Sequence, residues 1–214
     1  MRFLCKQKDI KVIANFFVAM AKVEYGVIPQ KPSGRKAVVL TADKFEDMEL
    51  YVPVFRLIEA GWTVDIAAPK LGKITGESNW YYIIANKTID QINTDNYDLL
   101  LIPGGSPHGA PATVRNIKKA QQIAISFFKK KKPVAAICHG PWLLVSAGLV
   151  KDRKLTSFWG DGVPEEIKNA GGKWIDKDVV VDGNLVTSRW PMDLSAFTRE
   201  LMKLVGRYFS YFYF

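Results

Sequence analysis

The chain has 214 residues, of which 48 % are hydrophobic, and it carries a formal net charge of +9. This composition is that of an ordinary globular protein with enough residues for a sizeable core, which excludes disordered and fibrous classes. The basic residues are spread along the chain and match no nucleic-acid-binding motif, so we expect a solvated basic surface and no specific nucleic-acid partner. Two cysteines and two histidines are too few for a disulfide framework or a zinc site, and they favour a reducing, cytoplasmic setting.

The first 35 residues are predicted to form an N-terminal extension, ahead of one α/β domain at 36–214. Their basic start and the apolar stretch at 13–21 resemble a weak secretory signal. However, Asp9 lies close to this stretch, and the stretch is far too short to span a membrane. We therefore predict an extra helix and a linker that dock on the domain or on a neighbouring subunit. The aromatic tail at 208–214 is expected to pack onto this extension or onto a subunit partner.

From residue 36 onward, apolar runs alternate with amphipathic segments. In chain order, the pattern predicts a strand at 36–42, a helix at 46–60, a strand at 63–68, a short hairpin at 80–84 and 87–89, a strand at 98–102, a helix at 112–130, a strand at 133–137, a helix after Cys138, a strand at 155–158, a helix at 164–170, strands at 179–181 and 185–188, and a helix at 193–208. Such alternation predicts an α/β sandwich of three layers, with a mostly parallel sheet and helices on both faces. Ligands of such sheets bind outside the carboxyl ends of the strands, so the loops after Ala42, after Ile102 and at Cys138 should share one crevice.

Cys138 lies where a predicted strand gives way to a helix, in the run AICHGP at 136–141. A thiol at such a turn faces the carboxyl edge of the sheet, where the amides of the following helix can stabilise a thiolate or an oxyanion. Gly140 leaves room beside the sulfur, and Pro141 suits the first helical turn. The same position holds the serine of hydrolase nucleophile elbows. A buried structural cysteine is the alternative, but the sequence favours a nucleophile.

Two acids open the first predicted helix and can lie on one side of its first turn. Glu46 complements the helix dipole there, and it is also a candidate for contacting a substrate. Glu49 lies among apolar residues, where desolvation would raise the pKa of its carboxyl. A protonated Glu49 could donate a hydrogen bond to the Cys138 thiolate, which makes it a candidate catalytic acid.

The other candidates are glycines and histidines at strand ends. Backbone N–H groups at the Gly104–Gly105 turn and at His139 could form an oxyanion hole, although the glycines could instead serve only a tight loop. An imidazole base can come from His139, beside the sulfur, or from His108, across the crevice. No dinucleotide fingerprint or phosphate-binding loop is present, so we expect no cofactor and no metal.

Four motifs in the same order resemble the ThiJ/PfpI superfamily, and most closely its archaeal-type intracellular proteases. They are FEDMEL at 45–50 with Pro53, IPGG at 102–105, AICHGP at 136–141, and Ser188-Arg189 with Pro191, Asp193 and Leu194. The similarity runs from about residue 36 to about residue 205. It implies a flavodoxin-like sandwich that assembles into homodimers or larger rings.

The resemblance also implies roles for individual residues. Cys138 would be the nucleophile, Glu49 the carboxyl that contacts it, and His139 the catalytic histidine, with oxyanion amides from Gly105 and His139. One position departs from the pattern. Protease-like members carry an acid in an Ala-Pro-Glu run that orients the histidine of a neighbouring subunit, and this chain has Ala112 there. We expect this change to weaken peptidase activity and to leave the pair of Cys138 and Glu49 intact.

Three functional hypotheses follow. The first is a cofactor-independent cysteine enzyme of glyoxalase or deglycase type that acts on small reactive carbonyls or glycated adducts. In this hypothesis the Cys138 thiolate adds to the carbonyl carbon and Glu49 shuttles the proton. The second is an intracellular cysteine peptidase that acts on peptide substrates. The third is a redox-sensing chaperone in which Cys138 is oxidised to a sulfinic acid.

Overall fold

The structure is a computed structural model that describes residues 26–28 and 34–209, with side chains through residue 206. Its strands are β1 (Lys36–Leu40), β2 (Thr63–Ala68), β3 (Gly72–Thr75), β4 (Tyr82–Ala85), β5 (Lys87–Thr88), β6 (Leu99–Ile102), β7 (Val134–Ile137), β8 (Lys154–Leu155), β9 (Lys173–Trp174), β10 (Val179–Asp182) and β11 (Leu185–Ser188). Its α-helices are α1 (Asp47–Glu59), α2 (Ala110–Arg115), α3 (Lys118–Lys129), α4 (Pro141–Ser146), α5 (Val163–Asn169) and α6 (Leu194–Phe209).

Seven strands form the central sheet, in the order β10-β11-β7-β6-β1-β2-β5. All neighbouring pairs are parallel except β10 with β11. The helices form two groups, since α1 packs against α6 while α2, α3, α4 and α5 pack against one another. The predicted three-layer α/β sandwich with a mostly parallel sheet is confirmed.

The central strands are apolar throughout because helices cover both of their faces. All four residues of β6 and of β7 are buried, as are the last four of β1. These three strands are neighbours in the sheet, and they run in the same direction. Their carboxyl ends therefore meet at one edge, which places the three predicted site loops side by side.

The hairpin predicted from 80–84 and 87–89 is wrong in its pairing. Strand β4 pairs antiparallel with β3, whereas β5 joins the central sheet beside β2. One residue, Asn86, separates β4 from β5 and is too little to reverse the chain. Its side chain instead accepts from Ile66 N–H at 2.8 Å and donates to Asp65 Oδ1 at 2.7 Å. Asn86 thus fastens the crossing from one sheet to the other.

Two further predicted elements differ from the structure. The helix predicted at 112–130 is two helices, because the Asn116 side chain donates to the Ala112 carbonyl oxygen at 2.8 Å and Ile117 is extended. The strand predicted at 155–158 stops at Leu155, and Phe158 N–H instead donates to the Cys138 carbonyl oxygen at 3.0 Å.

The predicted N-terminal helix and the aromatic tail lie mostly in segments 1–25, 29–33 and 210–214, which are outside the described residues. The division into an extension and a domain therefore stays a prediction. Within residues 26–28 and 34–209, no helix is long and apolar enough to cross a membrane.

Candidate active site

Cys138 forms a strained turn between β7 and α4. Its backbone φ is 61°, a left-handed conformation that costs a non-glycine residue about 1–2 kcal/mol. Its N–H donates to the Ser188 carbonyl oxygen at 3.1 Å, and its own carbonyl oxygen accepts from Phe158 N–H at 3.0 Å. The side chain is 7 % exposed. These bonds from two neighbouring segments hold the turn predicted from the sequence.

Two glycines at the end of β6 allow the close approach to the sulfur. A Cβ on Gly104 would lie 2.5 Å from both Cys138 Cβ and Glu49 Oε2. Gly105 has a φ of 141°, and a Cβ there would lie 2.3 Å from the Lys44 carbonyl oxygen. The backbone N–H groups of Gly105 and His139 favour the ionised form of the Cys138 sulfur and act to lower its pKa. The predicted amides therefore converge on the thiol, while their action on an oxyanion stays a prediction.

Glu49 reaches the same point from the first turn of α1. Its side chain is fully buried, and Oε2 accepts from Gly104 N–H at 2.9 Å. The place that a Cβ on Gly104 would take lies 2.5 Å from Glu49 Oε2 and 3.1 Å from Cys138 Sγ, so the carboxyl lies beside the thiol. Glu49 Oε1 has no hydrogen-bond partner among the described residues. Glu46 caps the helix instead, since its Oε2 accepts from Glu49 N–H at 2.6 Å. A contact between Glu46 and a substrate remains a prediction.

Burial controls the ionisation of the carboxyl and the thiol. Desolvation raises the pKa of Glu49 well above its usual value, and the charge of Glu46 raises it further, against the hydrogen bond from Gly104. Desolvation also raises the pKa of Cys138, and an ionised Glu49 would raise it more. The N–H groups of His139 and Gly105 oppose this by stabilising the thiolate. Because each charge disfavours the other, the pair holds at most one negative charge near neutral pH.

The His139 ring lies between the thiol and a carboxylate. Its Nδ1 is 3.3 Å from Cys138 Sγ, and its Nε2 is 2.9 Å from Asp161 Oδ2. The ring packs against Trp142 and Phe158, with centroids 4.8 and 4.9 Å away. Burial lowers the pKa of His139, and the hydrogen bond and charge of Asp161 oppose that shift. A histidine with a lowered pKa is neutral at pH 7, so one ring nitrogen can accept a proton.

Asp161 is a site residue that the sequence analysis missed. It lies on the loop before α5, three residues beyond the strand predicted at 155–158, whereas the site was expected only at the loops after Ala42, after Ile102 and at Cys138. The only local signal was the run WGDG at 159–162, which indicates a turn whose acid can adopt a positive φ.

The other candidate imidazole, His108, makes no hydrogen bond to the Cys138 sulfur in the described part of the chain. It is exposed, its N–H donates to Ser106 Oγ at 3.4 Å, and its ring makes no hydrogen bond or ion pair within the described part of the chain. The same part of the chain contains no cluster of three or more His, Cys, Asp or Glu side chains that could hold a metal ion. His139 is therefore the imidazole that the fold places beside Cys138.

An aromatic wall extends from His139 towards solvent. Phe158 contacts Trp159 at 4.9 Å between ring centroids, and Trp159 contacts Trp190 at 5.1 Å. The Arg189 guanidinium lies 6.0 Å from the Trp159 ring. Trp159 is 47 % exposed, so this wall presents apolar surface to solvent.

Comparison with known proteins gives consistent matches. A model of the DJ-1/PfpI family matches residues 35–204. Deglycase PfpI of Pyrococcus furiosus is 48 % identical over 170 residues, which cover 79 % of this chain and 99 % of the relative. The putative cysteine protease YraA of Bacillus subtilis is 37 % identical over 171 residues, which cover 80 % and 98 %.

A solved structure from Anabaena variabilis, with DJ-1/ThiJ/PfpI-like and ferritin-like domains, matches with a TM-score of 0.76 and 31 % identity. The match covers 80 % of this chain and 48 % of that two-domain chain. The present chain thus spans about half of that protein.

Proposed function

The chain belongs to the DJ-1/PfpI family, and from this premise we propose that it is a cofactor-independent cysteine enzyme of the deglycase type. Its substrates are reactive carbonyls or the glycated adducts that carbonyls form with amines. Cys138 is the nucleophile and Glu49 is its acid. The observation that carries the proposal is the burial of the Glu49 carboxyl and the Cys138 thiol side by side at Gly104. The name of the Pyrococcus relative, a deglycase, supports the same reaction class.

The single negative charge of the pair belongs on the sulfur. Two backbone N–H groups, from Gly105 and His139, stabilise a thiolate there, whereas one N–H, from Gly104, reaches the Glu49 carboxyl. Hydrogen bonds to a charged group favour the charged form. Glu49 therefore keeps its proton and can donate it.

The reaction begins when the Cys138 thiolate attacks an aldehyde carbon. A C–S bond forms, the π pair of the C=O bond moves to oxygen, and that oxygen takes the proton of Glu49. For a dicarbonyl, the ionised Glu49 then removes the proton from the attacked carbon and returns it to the adjacent carbon, while the hydroxyl proton of the attacked carbon passes to the adjacent carbonyl oxygen. The resulting thioester is hydrolysed by water.

Methylglyoxal consumption and release of amine from a glycated lysine peptide test this function. Cys138→Ala should abolish both while the far-UV circular dichroism spectrum stays unchanged. Glu49→Gln should lower turnover by about 100-fold or more and leave Cys138 open to alkylation by iodoacetamide. Cys5→Ala, which removes the other thiol, is the matched control and should retain full activity. Undiminished turnover in Cys138→Ala would rule out the proposal.

A peptidase is the second candidate function. The continuous contact of thiol, imidazole and carboxylate at Cys138, His139 and Asp161 is the arrangement used in nucleophilic hydrolysis. The acid missing at Ala112 thus has a counterpart elsewhere in the chain. Casein cleavage that is blocked by thiol alkylation, without methylglyoxal turnover, would select this function. Oxidation of Cys138 in a redox-sensing chaperone stays a prediction.

We also propose that the protein is a homo-oligomer of cytoplasmic location. An exposed apolar surface supports assembly: Met48, Val52 and Phe55 on α1, together with Tyr81, are each 40–53 % exposed. We call these four residues the α1 patch. Tyr51 packs beside the patch, since its ring centroid lies 5.5 Å from that of Phe55 and 6.1 Å from that of Tyr81. A second copy of the chain is the proposed occupant of this surface.

A further inference from the structure

The carboxylate next to His139 is held by an unusual stretch of backbone. Asp161 and Gly162 are consecutive residues with positive φ, 54° and 75°. Aspartate tolerates the left-handed region better than most residues, but the conformation still costs free energy. Strain of this kind persists where surrounding contacts enforce it, and it is concentrated at functional sites. Here it turns the chain just before α5, and Asp161 Oδ2 comes within 2.9 Å of His139 Nε2.

The packing around the His139 ring restricts its orientation. Trp142 and Phe158 pack against it, and the side chain of His139 is 4 % exposed. A carboxylate is only an acceptor, so the nitrogen that faces Asp161 must carry the proton. In the neutral ring the other nitrogen, Nδ1, then has a lone pair directed at Cys138 Sγ, 3.3 Å away.

We propose that Asp161 is a positioning residue that fixes the Nε2–H tautomer of His139, so that Nδ1 accepts the thiol proton of Cys138. This inference rests on the proposed function, because it concerns how the same nucleophile is activated. The S–H bond breaks, an Nδ1–H bond forms, and the electron pair stays on sulfur. The imidazolium that results is stabilised by the Asp161 carboxylate, and its proton is later available to a leaving amine. The thiolate thus forms without ionisation of Glu49.

The arrangement also makes the site self-contained. Thiol, imidazole and carboxylate all come from one chain, whereas Ala112 offers no acid to the ring of another subunit. The charged and titratable groups that face His139 are Asp161, Glu77 and Cys138. Among the acids in the described ranges, Asp161 is the one that hydrogen-bonds to the ring. Removing Asp161 should therefore change both the tautomer and the proton affinity of His139.

The chain is well suited to a direct test, because it contains only two histidines. Long-range proton–nitrogen NMR spectra of the 15N-labelled full chain, recorded between pH 4 and 9, report the tautomer and titration of each ring. The exposed His108 is the internal reference. In the wild type we expect the Nε2–H tautomer for His139. In Asp161→Ala we expect mixed tautomers and a lower His139 titration midpoint, with His108 unchanged. Glu165→Gln, which removes an exposed acid from the next helix, should match the wild type.

The chemical readout is the rate of Cys138 alkylation by iodoacetamide as a function of pH, which needs no substrate. Asp161→Ala should slow alkylation at pH 7 by about 10-fold or more, and Asp161→Glu should restore part of the rate. In turnover assays kcat should fall with little change in KM. An unchanged tautomer and midpoint in Asp161→Ala would overturn the inference. Absence of any turnover in the wild type would instead contradict the proposed function and leave the NMR result standing.

Discussion

Glu49 and Cys138 show how a buried carboxyl beside a thiol lowers the stability of the fold that holds it. Glu49 is fully buried beside a thiol, with one of its oxygens lacking a hydrogen-bond partner among the described residues. In the unfolded chain the same carboxyl is solvated and ionises at its usual pKa of 4.5. Keeping it protonated at neutral pH therefore favours the unfolded state. A residue selected only for stability would be apolar at this position.

The sign of this effect gives a prediction for stability against pH. Because the pKa of Glu49 is raised in the folded state, the contribution of the protonated carboxyl to folding stability is fully present below about pH 4.5. It is lost as the pH rises towards the folded pKa, at about 1.4 kcal/mol per pH unit. Glutamine cannot ionise, so Glu49→Gln should lose less stability between pH 4.5 and pH 7. Urea denaturation at several pH values measures the difference.

Both proteins in this comparison should carry Cys138→Ser, because ionisation of the thiol then cannot contribute to the pH dependence of stability. The free energy of unfolding of the Glu49→Gln variant, relative to its parent, should rise steadily with pH over this range. A constant difference across pH 4.5–7 would show that Glu49 ionises normally in the folded protein, and the proposed proton donor would be lost with it.

At the scale of elements, the backbone conformation of the turn from β7 to α4 lowers the stability of the fold. Cys138 has a φ of 61°, and any side chain with a Cβ is disfavoured there. Glycine would relieve this, yet glycine cannot act as a nucleophile. The turn therefore sacrifices backbone stability so that a side chain can lie at the edge of the sheet.

Two inactive variants at this position should separate strain from chemistry. In urea denaturation, the free energy of unfolding of Cys138→Gly should exceed that of Cys138→Ala by about 1 kcal/mol, because glycine adopts positive φ without penalty. The matched control is Ala136→Gly in the middle of β7, where the same change should destabilise by about 0.5–1 kcal/mol. Equal stability of the two Cys138 variants would mean that the turn is not strained.

The elements show which parts of the fold were predictable. Strands such as β6 and β7 were predicted because an unbroken apolar run at a sheet centre allows few other structures. The fate of β4 and β5 was not, since it depends on the Asn86 side chain bonding to Asp65 and to Ile66 N–H. The split between α2 and α3 likewise depends on one side chain, Asn116, bonding to a backbone carbonyl. Such local hydrogen bonds leave no periodic signal.

The candidate site divides in the same way. Cys138, Glu49 and Gly105 were found from the sequence because each follows a strand end, where a parallel sheet collects its functional groups. Asp161 was not found, because its position depends on how the loop after residue 155 folds back under the nucleophile turn. That path is set by Phe158 N–H bonding to the Cys138 carbonyl, a contact between segments far apart in sequence.

At the scale of the whole molecule, the same helix serves the site and the surface. The buried face of α1 carries Glu49 to the thiol, and its opposite side carries Met48, Val52 and Phe55 outwards. Apolar side chains at spacings of four and three lie on one helical face. A contiguous apolar face of this kind on a soluble domain is typical of an interface. Assembly through the α1 patch would therefore stabilise the helix that positions Glu49, the proposed acid.

Charge placed in the α1 patch should break the assembly without unfolding the chain. We expect the double variant Val52→Lys/Phe55→Lys to have the mass of a monomer in light scattering after gel filtration, because lysines buried in an interface are strongly unfavourable. The chain should stay folded, since both side chains are already partly exposed. Val181→Lys, at a 40 % exposed apolar position on the edge strand β10, is the matched control and should keep the mass of the wild type. Retention of the oligomer by the double variant would place the interface elsewhere, and a monomeric wild type would contradict the proposed assembly.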